Sequence, residues 1–202
     1  MKDMKNTVTK SKSKNDTTQG LRNLFVAQLK DIYWAEKALT KAIPKMIKNV
    51  TSAELNKALT SHLKQTEEQV TRLEDLFSTI GKKAIEKKSD AMAGLIKEAK
   101  RIIKENKRGI VRDAGIILAG QKVEHYEIAT YGTLLSFAKT LGENEAVALL
   151  EKSLNEEKSS NEKLSQIAVA SINKDATEEN KKADEFQPER KEKRKELSEI
   201  EY

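Results

Sequence analysis

From residue 21 to residue 172 apolar side chains recur at spacings of three and four, and no segment shows the strict alternation of a half-buried strand. That rhythm restricts the chain to helices that bury one face each. Helix breakers are scarce, with two prolines and eight glycines in 202 residues, and several fall where the rhythm pauses. A first helix is expected over about 21–49, with Leu21, Leu24, Phe25, Leu29, Ile32, Leu39 and Ile43 on its face. Pro44 should kink it or end its regular part, because proline removes a donor and clashes one turn back. A second helix is expected from near Ser52 to about Gly81, and Thr51 with Glu54 three residues on has the pattern of a capping box. A shorter helix covers about 90–105. A third long helix covers about 110–141 and stops at Gly142, a favourable C-cap residue, and a fourth covers about 143–172.

Helices near 30 residues are each about 45 Å long. The two tight connections, at 49–52 and 142–143, force the first and second long helices, and the third and fourth, into antiparallel hairpins. The 82–109 segment is long enough to return from one end of the bundle to the other. Two hairpins joined by one long crossover make the all-α, ferritin-like antiparallel four-helix bundle, here with a short fifth helix in the crossover. The domain boundaries follow from composition: a disordered basic arm at 1–19, the bundle at 20–173, and a charged, disordered tail at 174–202.

Charge and residue inventory then exclude several functions. The net charge of +6 is spread as a mild surplus along a helical surface, which reads as solubility before it reads as a nucleic-acid footprint. The absence of cysteine removes disulfides, thiolate metal sites and cysteine nucleophiles. Two histidines cannot build a three-imidazole zinc site within one chain. Neither an apolar run long enough to span a bilayer nor an apolar leader segment is present, so an intracellular, cytoplasmic protein without a membrane partner is expected. Any metal here needs mainly oxygen ligands.

Those ligands lie on the apolar stripes. Glu36 sits among Leu29, Ile32, Leu39 and Ile43. The third long helix has Glu124 and Glu127 at i and i+3 on the stripe of Gly120, Tyr131, Leu134 and Ala138. The fourth has Glu157 between Leu154 and Leu164, and the second mixes His62, Thr66 and Gln69 with leucines, with Gln65 at the stripe's edge. Folding each hairpin about its turn pairs Glu36 with Gln65 and Glu157 with Glu127, so the polar residues fall at one level near mid-bundle. Four inward carboxylates are costly to bury as bare anions. Protons or a pair of divalent cations would relieve them, and oxygen ligands of this kind suit Fe(II) or Mn(II). The bland alternative leaves some of them in solvent. Glu156 is expected at the surface, His125 as a hydrogen-bonded packing residue, and His62 either as a polar contact or as a ligand. No Glu-x-x-His, the usual di-iron signature, occurs in the chain.

At these residues the sequence resembles the YciE/YciF-like family of bacterial ferritin-like, rubrerythrin-like stress proteins. The matching segments are 31–39 (DIYWAEKAL), 61–66 (SHLKQT), 121–129 (QKVEHYEIA) with 131–133 (YGT), and 156–158 (EEK). The resemblance spans about 20–173 and implies a four-helix bundle, often a homodimer, associated with stress and with no settled reaction. It also implies metal ligands at Glu36, Glu124, Glu127 and Glu157, with Gln65 and Gln69 standing where such proteins commonly carry glutamate and histidine. The candidate metal set is therefore Glu36, His62, Gln65, Glu124, Glu127 and Glu157, for Fe or Mn, with no catalytic residue assigned. Two alternatives stay open: a degenerate, metal-free helical interaction module, and a protective DNA-associated protein that binds through its basic arm.

Overall fold

The computed structural model describes residues 4–178, with side chains from residue 18 onward. Five α-helices follow one another: α1 (Met4–Ile47), α2 (Ala53–Thr79), α3 (Asp90–Glu105), α4 (Ile110–Leu141) and α5 (Asn144–Ile167). A π-helical turn, Ala168–Ile172, extends α5, and residues 173–178 are again α-helical. No strand occurs among the described residues. α1 and α5 each pack on both α2 and α4, which makes a four-sided bundle, and α3 lies against α4 and α1. This is the expected pair of hairpins joined by a helical crossover.

Each helix end has a local cause. α1 runs one turn beyond Pro44, and the amide of Lys48 donates to the Pro44 carbonyl at 3.2 Å. The start of α2 differs from expectation. Ser52, not Thr51, is the N-cap, and its hydroxyl accepts from Leu55 N at 3.3 Å. Thr51 is drawn away because its amide and hydroxyl both donate to Asp113 on α4. α4 stops at Gly142 in the left-handed region (φ 74°), where an L side chain would be strained.

The helical span is longer than the sequence pattern suggests. α1 starts at Met4 rather than near residue 21, taking in most of the segment expected to be a disordered arm; residues 4–19 contain neither proline nor glycine to stop a helix. At the other end the helix passes residue 173 and continues to 178, because the first residues of the charged tail also lack a breaker. The rest of that tail, 179–202, and residues 1–3 lie outside the described residues.

The core runs the length of the bundle from Phe25 and Phe77 to Val50 and Ile116. Two contacts fix which ends meet. Arg22, about midway along α1, pairs with Glu143 ahead of α5, and Asp113 in the first turn of α4 holds the start of α2. The middle of the bundle, between those clamps, is where the buried polar side chains collect.

Candidate metal centre

Glu36 from α1, Glu124 and Glu127 from α4, and Glu157 from α5 are all 0–1% exposed. The 3.6-residue period puts Glu124 and Glu127 on the same inward face as Gly120 and Tyr131, and Glu157 takes the corresponding place between Leu150 and Leu164. One ligand atom each of His62, Glu124, Glu127 and Glu157 lies within 4.8 Å of all the others. Opposed ligands on one divalent ion stand about 4–5 Å apart, twice a metal–oxygen bond of about 2.0–2.6 Å. These four side chains therefore surround a volume the size of one cation. Glu36 adjoins them, with the Glu127 carboxyl beside it and the Glu157 charge close by.

His62 belongs to the layer. Its Nε2 is 3.3 Å from Glu124 Oε1, and its Nδ1 is 3.3 Å from the Ser160 hydroxyl. Burial lowers its pKa to about 4, so the ring is neutral at physiological pH, the form in which imidazole ligates metals. Gln65 stands apart from Glu36, the partner expected from folding the hairpin, and no hydrogen bond joins the two among the described residues. It is half-buried at the mouth of a cavity of about 170 Å³ whose floor includes His62 and Glu124, and it accepts from Ser160 Oγ at 3.4 Å. The inward positions of that stripe are Thr66 and Gln69; Gln65 is turned about 100° around the helix from Thr66.

Gln69 acts on the carboxylates through its amide protons. Its Nε2 donates to Glu157 Oε1 and, at 3.1 Å, to Glu156 Oε2. Glu156 is not the free surface residue the sequence suggested. Arg72, itself buried, holds it with two hydrogen bonds of 2.7 and 3.0 Å and also donates to Ser153 Oγ at 2.8 Å. Sequence reasoning missed Arg72. The available signal was an arginine at i+3 from Gln69, on the stripe of His62 and Thr66. Tyr131 is buried and donates to Glu36 Oε1 at 2.6 Å, whereas the Tyr33 hydroxyl turns outward to Glu74 at 2.7 Å. His125 is exposed, with Nδ1 2.8 Å from the Gln121 carbonyl oxygen, and is not a packing residue.

The electrostatics of the layer are dominated by burial and by mutual repulsion of the carboxylates, which the Arg72 charge offsets only in part, at Glu36 and Glu157. Burial, followed by the Glu157 charge, drives the Glu36 and Glu124 carboxyls well above the ordinary range. Glu127 rises for the same first reason and then through the charges of Glu36, Glu157 and Glu124. Glu157 is pushed up to about 7 by burial, against the opposing influence of the neighbouring Glu124 carboxyl, the Gln69 amide and the Arg72 charge. Tyr131 is raised well above its usual value by burial and then by Glu36. Among the described residues, Oε2 of Glu36, Glu124 and Glu157, both oxygens of Glu127, and the amide oxygens of Gln69 and Asn161 are buried without a hydrogen-bond partner. Every one is an acceptor. A set of converging acceptors with no donor left to satisfy them calls for cations or protons, and the three carboxylates plus one imidazole fit a divalent ion of the Fe(II) or Mn(II) type.

Comparison with known proteins agrees with the fold. Residues 20–177 match a family described as a domain of unknown function, DUF892. The chain is 41% identical over 157 residues to Protein YciF of Escherichia coli (strain K12), a span of 77% of this chain and 95% of that one. The crystal structure of the E. coli stress protein YciF superposes with a TM-score of 0.73 at 40% identity, covering 76% of this chain and 98% of the other. YcfI, described as a putative structural protein from Rhodopseudomonas palustris, gives a TM-score of 0.71 at 45% identity over 72% of this chain and 92% of its own. No helix among the described residues is long and apolar enough to cross a membrane. With the four-helix bundle, the crossover helix and most of both relatives' lengths in common, this chain belongs to the YciF-like DUF892 family.

Proposed function

We propose that the mid-bundle layer is a divalent-metal centre and that the protein handles Fe or Mn in a stress-associated, cytoplasmic role, as a homodimer. The observation that carries this reading is the set of five partnerless carboxylate oxygens from Glu36, Glu124, Glu127 and Glu157, gathered with a neutral His62. His62, Glu124, Glu127 and Glu157 would hold one ion, and Glu36 with Glu127 offers oxygens toward a second. A bound transition metal of this type supplies Lewis acidity and, for Fe or Mn, a redox couple. Around it the chain's own residues have defined tasks. Tyr131 orients Glu36, Gln69 fixes one oxygen of Glu157, and Arg72 with Glu156 holds Gln69 in place. The cavity of about 170 Å³ beside His62 and Glu124 connects the layer to solvent past Gln65 and Ser160.

Metal analysis tests this directly. Protein purified without chelator, or loaded anaerobically with Fe(II) or Mn(II), should carry stoichiometric metal and melt at a higher temperature, since a ligand of the native state alone stabilises it. Glu36→Ala should lose part of the content and Glu127→Ala most of it. Anomalous scattering at the Fe and Mn edges identifies the ion and its position together. A stoichiometry near zero in every sample, with an unchanged melting temperature, overturns the reading. That outcome favours the metal-free module, in which the raised carboxyls share protons and the Gln69 amide replaces a ligand.

A further inference from the structure

On the outside of the bundle, α1, α3 and the segment before α3 enclose a groove of about 410 Å³ that has no part in the carboxylate layer. Lys37, Lys41 and Lys45 line one side at i, i+4 and i+8, and Lys100 on α3 and Lys88 ahead of it line the other. Among the described residues lining the groove Glu86 alone is acidic, and it is committed to Lys37. Lys88 has Asp90 at 3.6 Å. Lys41, Lys45 and Lys100 have no acidic partner among the described residues. Like charges at i, i+4 destabilise a helix, so this array is repulsive as it stands. The floor, by contrast, is apolar, with Ala42, Ala93 and Ile96, and it runs on into an apolar slot beside Met46 and Ile103. Trp34, the only tryptophan in the chain, is half-buried at its edge.

A basic rim over an apolar floor is complementary to an acidic, amphipathic peptide, and the chain contains one. Residues 196–202, ELSEIEY, carry Glu196, Glu199 and Glu201 with no basic residue, interleaved with Leu197, Ile200 and Tyr202. The 179–195 stretch that precedes it is of mixed charge, with five acidic and seven basic residues, five of the basic ones falling within 190–195. Reach is ample. Gln121 bonds Ser165 at 2.8 Å, so α5 and its π-helical turn run antiparallel to α4 and finish beside the start of α4, near the end of α1 that bears Lys45. The 17 residues of 179–195 span up to about 56 Å extended, more than twice the ~20 Å width of two helices.

We propose that residues 196–202 dock intramolecularly in the α1–α3 groove, with glutamates over Lys41, Lys45 and Lys100 and with Leu197 and Ile200 on the apolar floor. The contact covers Trp34 and relieves the lysine repulsion. It makes the groove a regulated surface: an acidic amphipathic segment of another protein would have to displace the chain's own. The inference stands whether or not the carboxylate layer binds metal.

Trp34 provides the test. In the full chain at low salt its emission should be blue-shifted and weakly quenched by acrylamide. Deletion of 196–202 should shift the emission to the red and increase quenching. Lys41→Glu with Lys45→Glu in the full chain should do the same, as should 1 M NaCl, which shortens the Debye length to about 3 Å. Zero-length carbodiimide coupling should join a groove lysine to Glu196, Glu199 or Glu201 within the monomer, as read by peptide mass spectrometry, and this readout is independent of how well the variants fold. Identical Trp34 emission and quenching in full and truncated chains, or the absence of any such cross-linked peptide, overturns the proposal. So does a signal that scales with protein concentration, which would place the segment on a second copy.

Discussion

Asp113 and Glu127 are buried carboxylates four turns apart on the same helix, yet their surroundings are opposite. Asp113 accepts from the amide of Thr51 at 3.0 Å, the Thr51 hydroxyl at 2.8 Å and the amide of Ser52 at 2.7 Å. It also sits in the first turn of α4, where the helix dipole favours a negative charge. Its anion is paid for entirely by donors that the fold itself supplies. Both oxygens of Glu127 lack any donor, and its nearest charged neighbours are three more carboxylates. One carboxylate serves the architecture, tying the α1–α2 turn to the start of α4. The other works against the architecture unless protons or a cation neutralise it.

The largest expected effect breaks the first member of this pair. Asp113→Ala leaves two backbone amides and a hydroxyl without their acceptor, at about 1–3 kcal/mol for each group kept from water. Unfolding in urea should show a loss of about 3–5 kcal/mol in total, the same with and without metal. A loss that vanished on adding Fe(II) or Mn(II) would mean the end clamp and the mid-bundle layer are one system.

Glu127→Leu should move stability the other way. Replacing a buried ion pair by apolar groups of similar volume is commonly neutral or stabilising by about 1–4 kcal/mol, and a buried carboxyl without a donor should follow the same direction. Metal-free protein carrying this change should unfold at higher urea concentration than the parent, while the rise in melting temperature on metal addition disappears. Destabilisation of the metal-free form by more than about 1 kcal/mol would show that Glu127 already has a partner and would end the contrast with Asp113.

The pH dependence sharpens the same comparison. Glu157 titrates at about 7 in the folded chain, and Glu36, Glu124 and Glu127 are also raised, so between their unfolded and folded values the native state holds the extra protons. Their stabilising share is complete below the unfolded value near 4.5 and is lost as pH rises through the folded values. His62, depressed to about 4, has the opposite sign: its share is present above about 6.5 and lost as pH falls toward 4. The two trends compete below pH 6.5, and above it only the carboxylates act. Metal-free protein should therefore lose stability from pH 6.5 to 8, by up to about 1.4 kcal/mol per pH unit for each proton released. Metal-loaded protein should show the reverse slope, because cations require deprotonated ligands. A flat profile for both would mean the layer is already neutralised within the fold.

The fold was legible because its signals are periodic and local: apolar stripes at three and four, Gly142 at a C-cap, and two turns too short for anything but hairpins. The inward carboxylates were legible by the same period, since Glu157 falls on the helical face of Leu150, Leu154 and Leu164. What the pattern could not reveal depends on contacts between helices. Nothing in the local pattern singles out Asp113, whose contact with the start of α2 puts the cap at Ser52 rather than Thr51. Gln65 and Gln69 are both amides near one stripe. Only the rotation of α2 in the bundle decides that Gln69 enters the layer and Gln65 stays at its mouth. Glu156 looked like surface because its partner, Arg72, lies 84 residues away in the chain.

That partnership gives the smallest effect and the finest test. Arg72 grips both oxygens of Glu156 in a planar fork, and Glu156 together with Glu157 receives the Gln69 amide. Lysine keeps the charge but offers no fork, so Arg72→Lys should cost only about 1 kcal/mol of stability while loosening Gln69 and, through it, Glu157. Groups that orient a metal ligand from behind typically change affinity by about 10–100-fold when altered. Fe(II) or Mn(II) affinity measured by competition with a chelator should fall by about tenfold, with the stoichiometry unchanged. Glu156→Gln should fall with it, and combining the two changes should add little, since both act through Gln69. Full additivity would instead mean that Arg72 reaches the layer chiefly through its own charge. In that case Arg72 would be the main counter-ion for the carboxylates, and their isolation from positive charge would be less complete than Asp113 makes it look.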